Sequence, residues 1–425
     1  MVKILIKHAH ICDPGTNTDC IGDIFLADGM IADMGIDLDY EAEVTIHASG
    51  LTAAPGLVDM HVHLRDPGQT AKEDIISGCK AAVAGGVTSV LAMPNTVPAI
   101  DTAETIEYIL NKAKNVDAHV YVSAAITKGL QSDIACDLKA LKKAGAVAIS
   151  DDGRPVVNTA FMAKAMQIAP QLGMTVVSHC EDLYLAQGGI MNQGKVSEQL
   201  GVRGIPIAAE DCGTAREIAL AAAYHAPIHI CHVSTATSIA LIRDAKARGV
   251  AVTAETAPHY FMLTEEALLA RDADYRMNPP LRTESDRLAV IEGLKDGTLD
   301  AIATDHAPHT PDEKADFEKA PNGAIGMETS LAAGITGLVK PGYCTMLQLI
   351  EKMSTKPAQL LGISAGTLKK GSPADVILID ENETWKVDAD KLHGKSKNCV
   401  FKNMTLTGKV KYTVCGGKIV FNELD

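Results

Sequence analysis

Hydrophobic and polar positions divide the chain into three stretches with different rhythms. Up to about residue 53, apolar and polar residues alternate, as in "KILIKHAHICD", "GDIFLADGMIADMG" and "AEVTIHASG". A period of two, punctuated by Gly and Asp, predicts short antiparallel strands joined by tight turns. The C-terminal stretch repeats that rhythm in "ADVILIDENETWKV" and "GKVKYTVCGGKIVFNE", with Gly416-Gly417 placed for a hairpin turn. The simplest arrangement is one small β-sandwich built from both chain ends, residues 1–53 and 366–425.

Between them, over residues 54–365, eight short apolar runs recur at intervals of a few tens of residues. They are "GLVDMHVHL", "TSVLAMP", "AHVYVSAAIT", "AVAISDD", "TVVSHCE", "PIHICHVS", "VAVTAET" and "LDAIATDHAP". Most are followed by an alanine-rich helical stretch such as "TAREIALAAAYH" or "ATSIALIRDAKARG". Eight such units predict an α/β fold, a (β/α)8 TIM-type barrel. The rival is a doubly wound sheet, but no GxGxxG or Walker motif follows any strand.

Composition narrows the function. Aromatics are 4% of the 425 residues and hydrophobic residues 47%, so the core is aliphatic. The net charge is −14 with no Lys/Arg block, which argues against nucleic-acid and anionic-membrane partners. An anionic substrate then needs a local cation or a metal. The 10 cysteines form no CxxC pair, and no signal-type segment or long apolar run occurs. A soluble cytoplasmic protein with reduced thiols is expected.

A barrel carries its site at the C-terminal ends of its strands, and the polar residues crowd those ends. The first run ends in His61, His63 and Arg65 and the second in Pro94-Asn95-Thr96. The fourth ends in Asp151-Asp152, the fifth in His179, the sixth in His232, and the eighth in Asp305, His306 and His309. One histidine at a strand end is usually a hydrogen-bonded structural group. HxH with two later strand-end histidines and an aspartate is a metal-type set, suited to Zn²⁺, with Mn²⁺, Co²⁺ or Fe²⁺ possible. Four imidazoles and two carboxylates can hold two ions if one carboxylate bridges. Strand alternation turns His306, His229, Cys180 and Cys231 away from the site, the cysteines as small core residues. His259 is equally readable as a supporting or a structural residue. Lys314, in a long charged loop after the eighth strand, is expected to be solvated or structural. His8, His10 and His47 fall in the sandwich.

The motifs "GLVDMHVHLRDPG", "AMPNT", "SDDG", "SHCED", "CHVST", "MNPPLR" and "IATDHAPH" resemble the cyclic amidohydrolases, and more narrowly the long-chain bacterial dihydroorotases. The resemblance spans essentially the whole chain. Hydantoinases and allantoinases share the first and last motifs but usually bridge their metals with a carboxylated lysine, which "AGAVAISDDG" does not offer. The resemblance implies that His61, His63 and Asp305 bind one Zn²⁺, that His179 and His232 bind a second, and that Asp152 and a hydroxide bridge them. Asp151 then faces away. It further implies that Asp305 is the catalytic acid–base, and that Arg65, Asn95 and His309 grip the substrate carboxylate. Asn278 contacts the ring, and backbone groups of Asn322 and Gly323 close over it. The expected reaction is reversible closure of N-carbamoyl-L-aspartate to L-dihydroorotate. A homodimer, with possible aspartate carbamoyltransferase association, is the expected assembly. The alternatives are an allantoinase or hydantoinase, or a non-catalytic scaffold of aspartate carbamoyltransferase.

Overall fold

The protein is described by a computed structural model covering residues 2–423. Eight parallel strands are hydrogen-bonded in chain order: β1 (Leu57–Val62), β2 (Val87–Ala92), β3 (His119–Ala124), β4 (Ala148–Ile149), β5 (Thr175–Ser178), β6 (Ile228–Ile230), β7 (Val252–Thr256) and β8 (Ala301–Ile302). The ring closes between first and last, where Val62 lies opposite His306 and the His63 N–H donates to His306 O at 2.8 Å. Both faces of these strands are covered, which is why they read as continuous apolar runs. Inside the ring pack Val58, Met60, Leu91, Val177 and Ala301. Met60 is fully buried, so truncating it to Ala costs about 2–5 kcal/mol.

The alanine-rich stretches form the covering helices, among them Ala208–Tyr224 and Ala236–Ala247. Thr235 starts the latter, accepting the Ser238 N–H at 3.0 Å, a hydroxyl cap on an otherwise orphaned donor. A larger aliphatic core fills the space between strands and helices.

The two chain ends share one mostly antiparallel eight-stranded sheet with its own core, including Ile4, Ile6, Ile24 and Val376. The seam is the pairing of Thr52–Pro55 with Val376–Lys386, Val376 opposite Pro55. At the predicted hairpin, Cys415 pairs with Lys418 across Gly416 (φ 55°) and Gly417 (φ 77°). Two left-handed residues in succession are what a type I′ turn demands, and glycine adopts them without steric cost. No helix among the described residues is long and apolar enough to cross a membrane. All ten cysteines are free.

Candidate metal centre

The site lies just past the ladder, where the strands stop pairing. β1 loses register against β2 between Asp59 and Val62, and such an irregularity re-aims side chains, here those of His61 and then His63. β4 and β8 each pair over two residues, so Asp152 and Asp305 sit on free backbone. Arg65, His232 and Asp305 have φ of 58°, 34° and 49°. Left-handed backbone at a non-glycine residue costs on the order of 1–3 kcal/mol, and such strain concentrates at functional sites.

These departures bring six predicted residues together. The Asp152 carboxylate is ringed by four imidazoles: His61 Nε2 at 3.3 Å, His63 Nε2 at 3.5 Å, His232 Nε2 at 3.5 Å and His179 Nδ1 at 3.6 Å. Asp305 Oδ1 lies 3.0 Å from His63 Nε2 and 3.6 Å from His61 Nε2. All six residues are buried. Asp151 turns the other way, accepting the Ile126 and Thr127 N–H groups at 2.7 and 3.1 Å.

The far sides of the rings decide what the near sides present. His61 Nδ1 donates to Glu255 Oε1 at 2.9 Å, and His63 Nδ1 donates to Asn95 Oδ1 at 2.7 Å. A neutral imidazole with one N–H so engaged offers a lone pair at its other nitrogen. Both Nε2 lone pairs therefore face carboxylate oxygens, which also carry only lone pairs. His61 Nε2 and Asp152 Oδ1 are buried without any hydrogen-bond partner. Two buried carboxylates and inward-facing imidazole lone pairs fit a divalent cation, the imidazole–carboxylate set being ordinary for zinc.

A profile described as "Dihydro-orotase-like" matches residues 50–238. The chain is 50% identical over 422 residues to a curated dihydroorotase of Acetivibrio thermocellus, covering 99% of each chain. It is 49% identical over 425 residues to one of Geobacter metallireducens, covering 99% of this chain and 100% of the relative. The chain belongs to the dihydroorotase family. Among solved structures it is similar to the L-hydantoinase of Arthrobacter aurescens, with a TM-score of 0.89, 26% identity and coverage of 100% and 97%. The dihydropyrimidinase of Brevibacillus agri gives 0.87 at 26% identity, covering 99% and 95%. The dihydroorotase relatives are thus the nearer in sequence, while the hydantoinases share the fold.

Beside the cluster of this dihydroorotase-family chain lies its cationic side. The Arg65 guanidinium is buried; Nε donates to Pro308 O at 3.2 Å and Nη2 lies 3.4 Å from His309 Nε2. Burial lowers it to about 10, so it stays charged at neutral pH. It makes no pair with Asp66, which is held by Lys112 at 2.5 Å. Burial, then the charge of Arg65, pushes His309 down to about 3. His309 Nε2 donates to Asn322 O at 2.9 Å, and Nδ1 faces Lys72 Nζ at 3.5 Å. Asn278 Nδ2 donates to Glu181 Oε1 at 3.0 Å. The Gly323 N–H donates to Arg276 O at 2.8 Å, so that backbone donor is already engaged. Gly323 has φ 138°, and a Cβ there would sit 3.0 Å from His309 Nε2, so the position demands glycine.

Three supporting residues escaped the sequence reading. Glu255, inside β7, is held down at about 2: burial would raise it, but His229, 3.3 Å away, and the hydrogen bond from His61 outweigh that. Asp59 accepts the Thr304 hydroxyl at 2.5 Å and its N–H at 3.1 Å, pinning the approach to Asp305. Lys72 flanks His309 and pairs with Glu313 at 2.9 Å. The first two are carboxylates within apolar runs, a weak signal that inward-facing strand position could have flagged.

Two expectations are corrected. Cys231 does not face away: its sulfur lies within 4.8 Å of ligand-type atoms of His61, Asp152 and His232. It follows Ile230, the last residue of β6, and shares the interior face with His229, which likewise does not turn away: its Nε2 lies 3.3 Å from Glu255, the partner of His61. The left-handed turn at His232 then swings the next side chain inward as well, so alternation fails there. Cys180 does lie in the outer core. Of the two readings of Lys314, solvated or structural, the structural one holds: it is buried, Nζ donates to Pro321 O at 2.9 Å and Arg276 O at 3.3 Å, and burial lowers it to about 8. His306 Nδ1 accepts from the Gly326 N–H at 3.2 Å, directed out of the site. His259 is buried against Tyr260, and burial lowers it to about 4. His8 and His10 lie in the end-built sheet, His10 beside Asp19 at 2.6 Å.

Proposed function

We infer that this chain is a metal-dependent dihydroorotase, interconverting N-carbamoyl-L-aspartate and L-dihydroorotate plus water in pyrimidine biosynthesis. The observation that carries the reading is the ring of four imidazoles around Asp152, with Asp305 on one flank and Arg65 on another. His61, His63 and Asp305 would hold one Zn²⁺, His179 and His232 a second, and Asp152 would serve both. Divalent metal there acts as a Lewis acid on a carbonyl oxygen and lowers the pKa of a water.

The remaining steps belong to side chains. Asp305 accepts the proton of the attacking water and returns it to the departing ring nitrogen, one carboxylate acting as base and then acid. Arg65 binds the substrate carboxylate through charge-assisted, two-pronged hydrogen bonds. Asn95 spends its carbonyl on His63, which leaves its amide for the same carboxylate; His309 completes the grip, and Asn278 contacts the ring. Hydantoins and allantoin lack that carboxylate, so Arg65 favours dihydroorotate. A homodimer goes with the family resemblance and is checked by sedimentation.

Turnover of dihydroorotate, hydantoin and allantoin, assayed side by side with metal content, tests the reading. Dihydroorotate is expected to be strongly preferred. Preference for either of the others, or no turnover by metal-loaded protein, overturns it. Closing the ring takes up one proton, so its equilibrium favours dihydroorotate by about tenfold for each unit of pH lowered. Equilibrium ratios measured from both directions check this, and a pH-independent ratio contradicts the reaction.

A further inference from the structure

At the opposite end of the barrel, where the end-built sheet crosses the N-terminal ends of the strands, lies a second group of metal-type donors. His119 opens β3, Asp375 precedes the strand Val376–Lys386, and Cys415 ends the strand Thr405–Cys415. Three residues remote in sequence thus place an imidazole nitrogen, a carboxylate oxygen and a sulfur all within 4.8 Å of one another. His119 Nε2 is 3.1 Å from Asp375 Oδ1, which also accepts the Gly416 N–H at 2.7 Å. Asp375 is only 3% exposed, yet its second oxygen, Oδ2, has no partner. An unpaired buried carboxylate oxygen is costly, and this one belongs to the donor group.

A cavity of about 550 Å³ adjoins the group, lined by His119, Tyr121 and Cys415, with room for a fourth, water ligand. Lys114 and Lys418 also line it but are exposed to solvent, where their charges are screened. We propose that His119, Asp375 and Cys415 form a second, separate metal site for a borderline divalent ion of the Zn²⁺ class. Mixed sulfur, nitrogen and oxygen donors select such ions over the oxygen-seeking Mg²⁺ and Ca²⁺. On binding, the Cys415 thiol gives its proton to water, and the His119 lone pair and an Asp375 oxygen turn to the ion. A reactive-cysteine role is disfavoured, since burial and the adjacent Asp375 raise the thiol well above its ordinary range. The ion would fasten the C-terminal strands to the barrel floor, far from the chemistry around Asp152.

The test uses the full chain, loaded with Zn²⁺ and then with Co²⁺ as probe. Relative to the wild type, Cys415→Ser and His119→Ala each lose one equivalent of zinc per chain, while dihydroorotate turnover stays within about twofold. The Co²⁺ protein shows a thiolate-to-cobalt charge-transfer band that survives Cys231→Ser and disappears in Cys415→Ser. Unchanged zinc content in both variants, or a cobalt spectrum insensitive to Cys415→Ser, overturns the proposal. If Cys415→Ser does not fold, His119→Ala carries the zinc readout, because its side chain is 40% exposed and its loss leaves the core intact.

Discussion

Two buried polar networks sit above the same strand ends and differ in one respect. Around Glu210 every group has its complement. Glu210 Oε1 accepts the Ser234 and Thr235 N–H groups at 2.8 and 3.2 Å, and Oε2 takes Arg282 Nη2 at 3.2 Å. Arg282 Nη1 donates to Asn192 Oδ1 at 2.8 Å, and Asn192 Nδ2 to Glu265 Oε2 at 2.6 Å. Around Asp152, two residues beyond Ser150, the partners run out: His61 Nε2 and Asp152 Oδ1 are buried and unpaired. The first network is complete as protein and holds loops in place. The second is complete only with cations added. Buried charge alone does not mark a functional site; a cluster of metal-type ligands with unpartnered atoms facing one another does.

Substitutions that separate the two networks sharpen this contrast. The largest effect is expected from Asp305→Asn, which keeps the shape of the cluster but removes the proton acceptor. Turnover should fall by about 10²–10⁴-fold with metal content retained. Kinetics paired with metal analysis decide, and near-normal turnover removes Asp305 from the acid–base role. Next comes Glu210→Ala, which strands the buried Arg282 guanidinium and should destabilise the fold by about 3–5 kcal/mol. Urea titration reads that loss, while the metal content of the folded protein stays at the wild-type value. A fall in metal content would mean the two networks are not independent.

Glu255→Gln is intermediate. It leaves every candidate ligand in place but weakens the acceptor that orients His61, and such changes typically cost about 10–100-fold in metal affinity or activity. Competition with a chelator measures it. The smallest effect is expected from Arg65→Lys, where the charge remains and the two-pronged geometry goes. Losing one hydrogen bond while the charge stays, about 1.5 kcal/mol, should raise KM for dihydroorotate about 10-fold. Metal content should not move.

The eight strands and the shared sheet were legible because fully buried and half-buried strands leave different hydrophobic rhythms. The six residues of the cluster were legible because the barrel collects strand ends at one mouth, so position along the chain stood in for position in space. Asp152 was preferred to Asp151 on the family resemblance, and Asp151 does turn away, onto the Ile126 and Thr127 N–H groups. Alternation fails at Cys231, where a left-handed residue follows and two successive side chains turn inward. Glu255 was hidden because a lone carboxylate in "VAVTAET" reads as a polar interruption. Its partner His61 lies 194 positions away, and no local pattern reports such a contact. For Lys314, read as solvated or structural, the charged loop left the choice open, and the fold buries the amine against carbonyl oxygens.

The central claim is that Asp152 and its four imidazoles are arranged around metal. Anomalous diffraction from crystals of the metal-loaded protein, recorded at the zinc edge, tests it most directly. The account predicts density beside Asp152, between the His61–His63 pair and the His179–His232 pair. Catalytically competent crystals with no anomalous signal at Asp152 would contradict it.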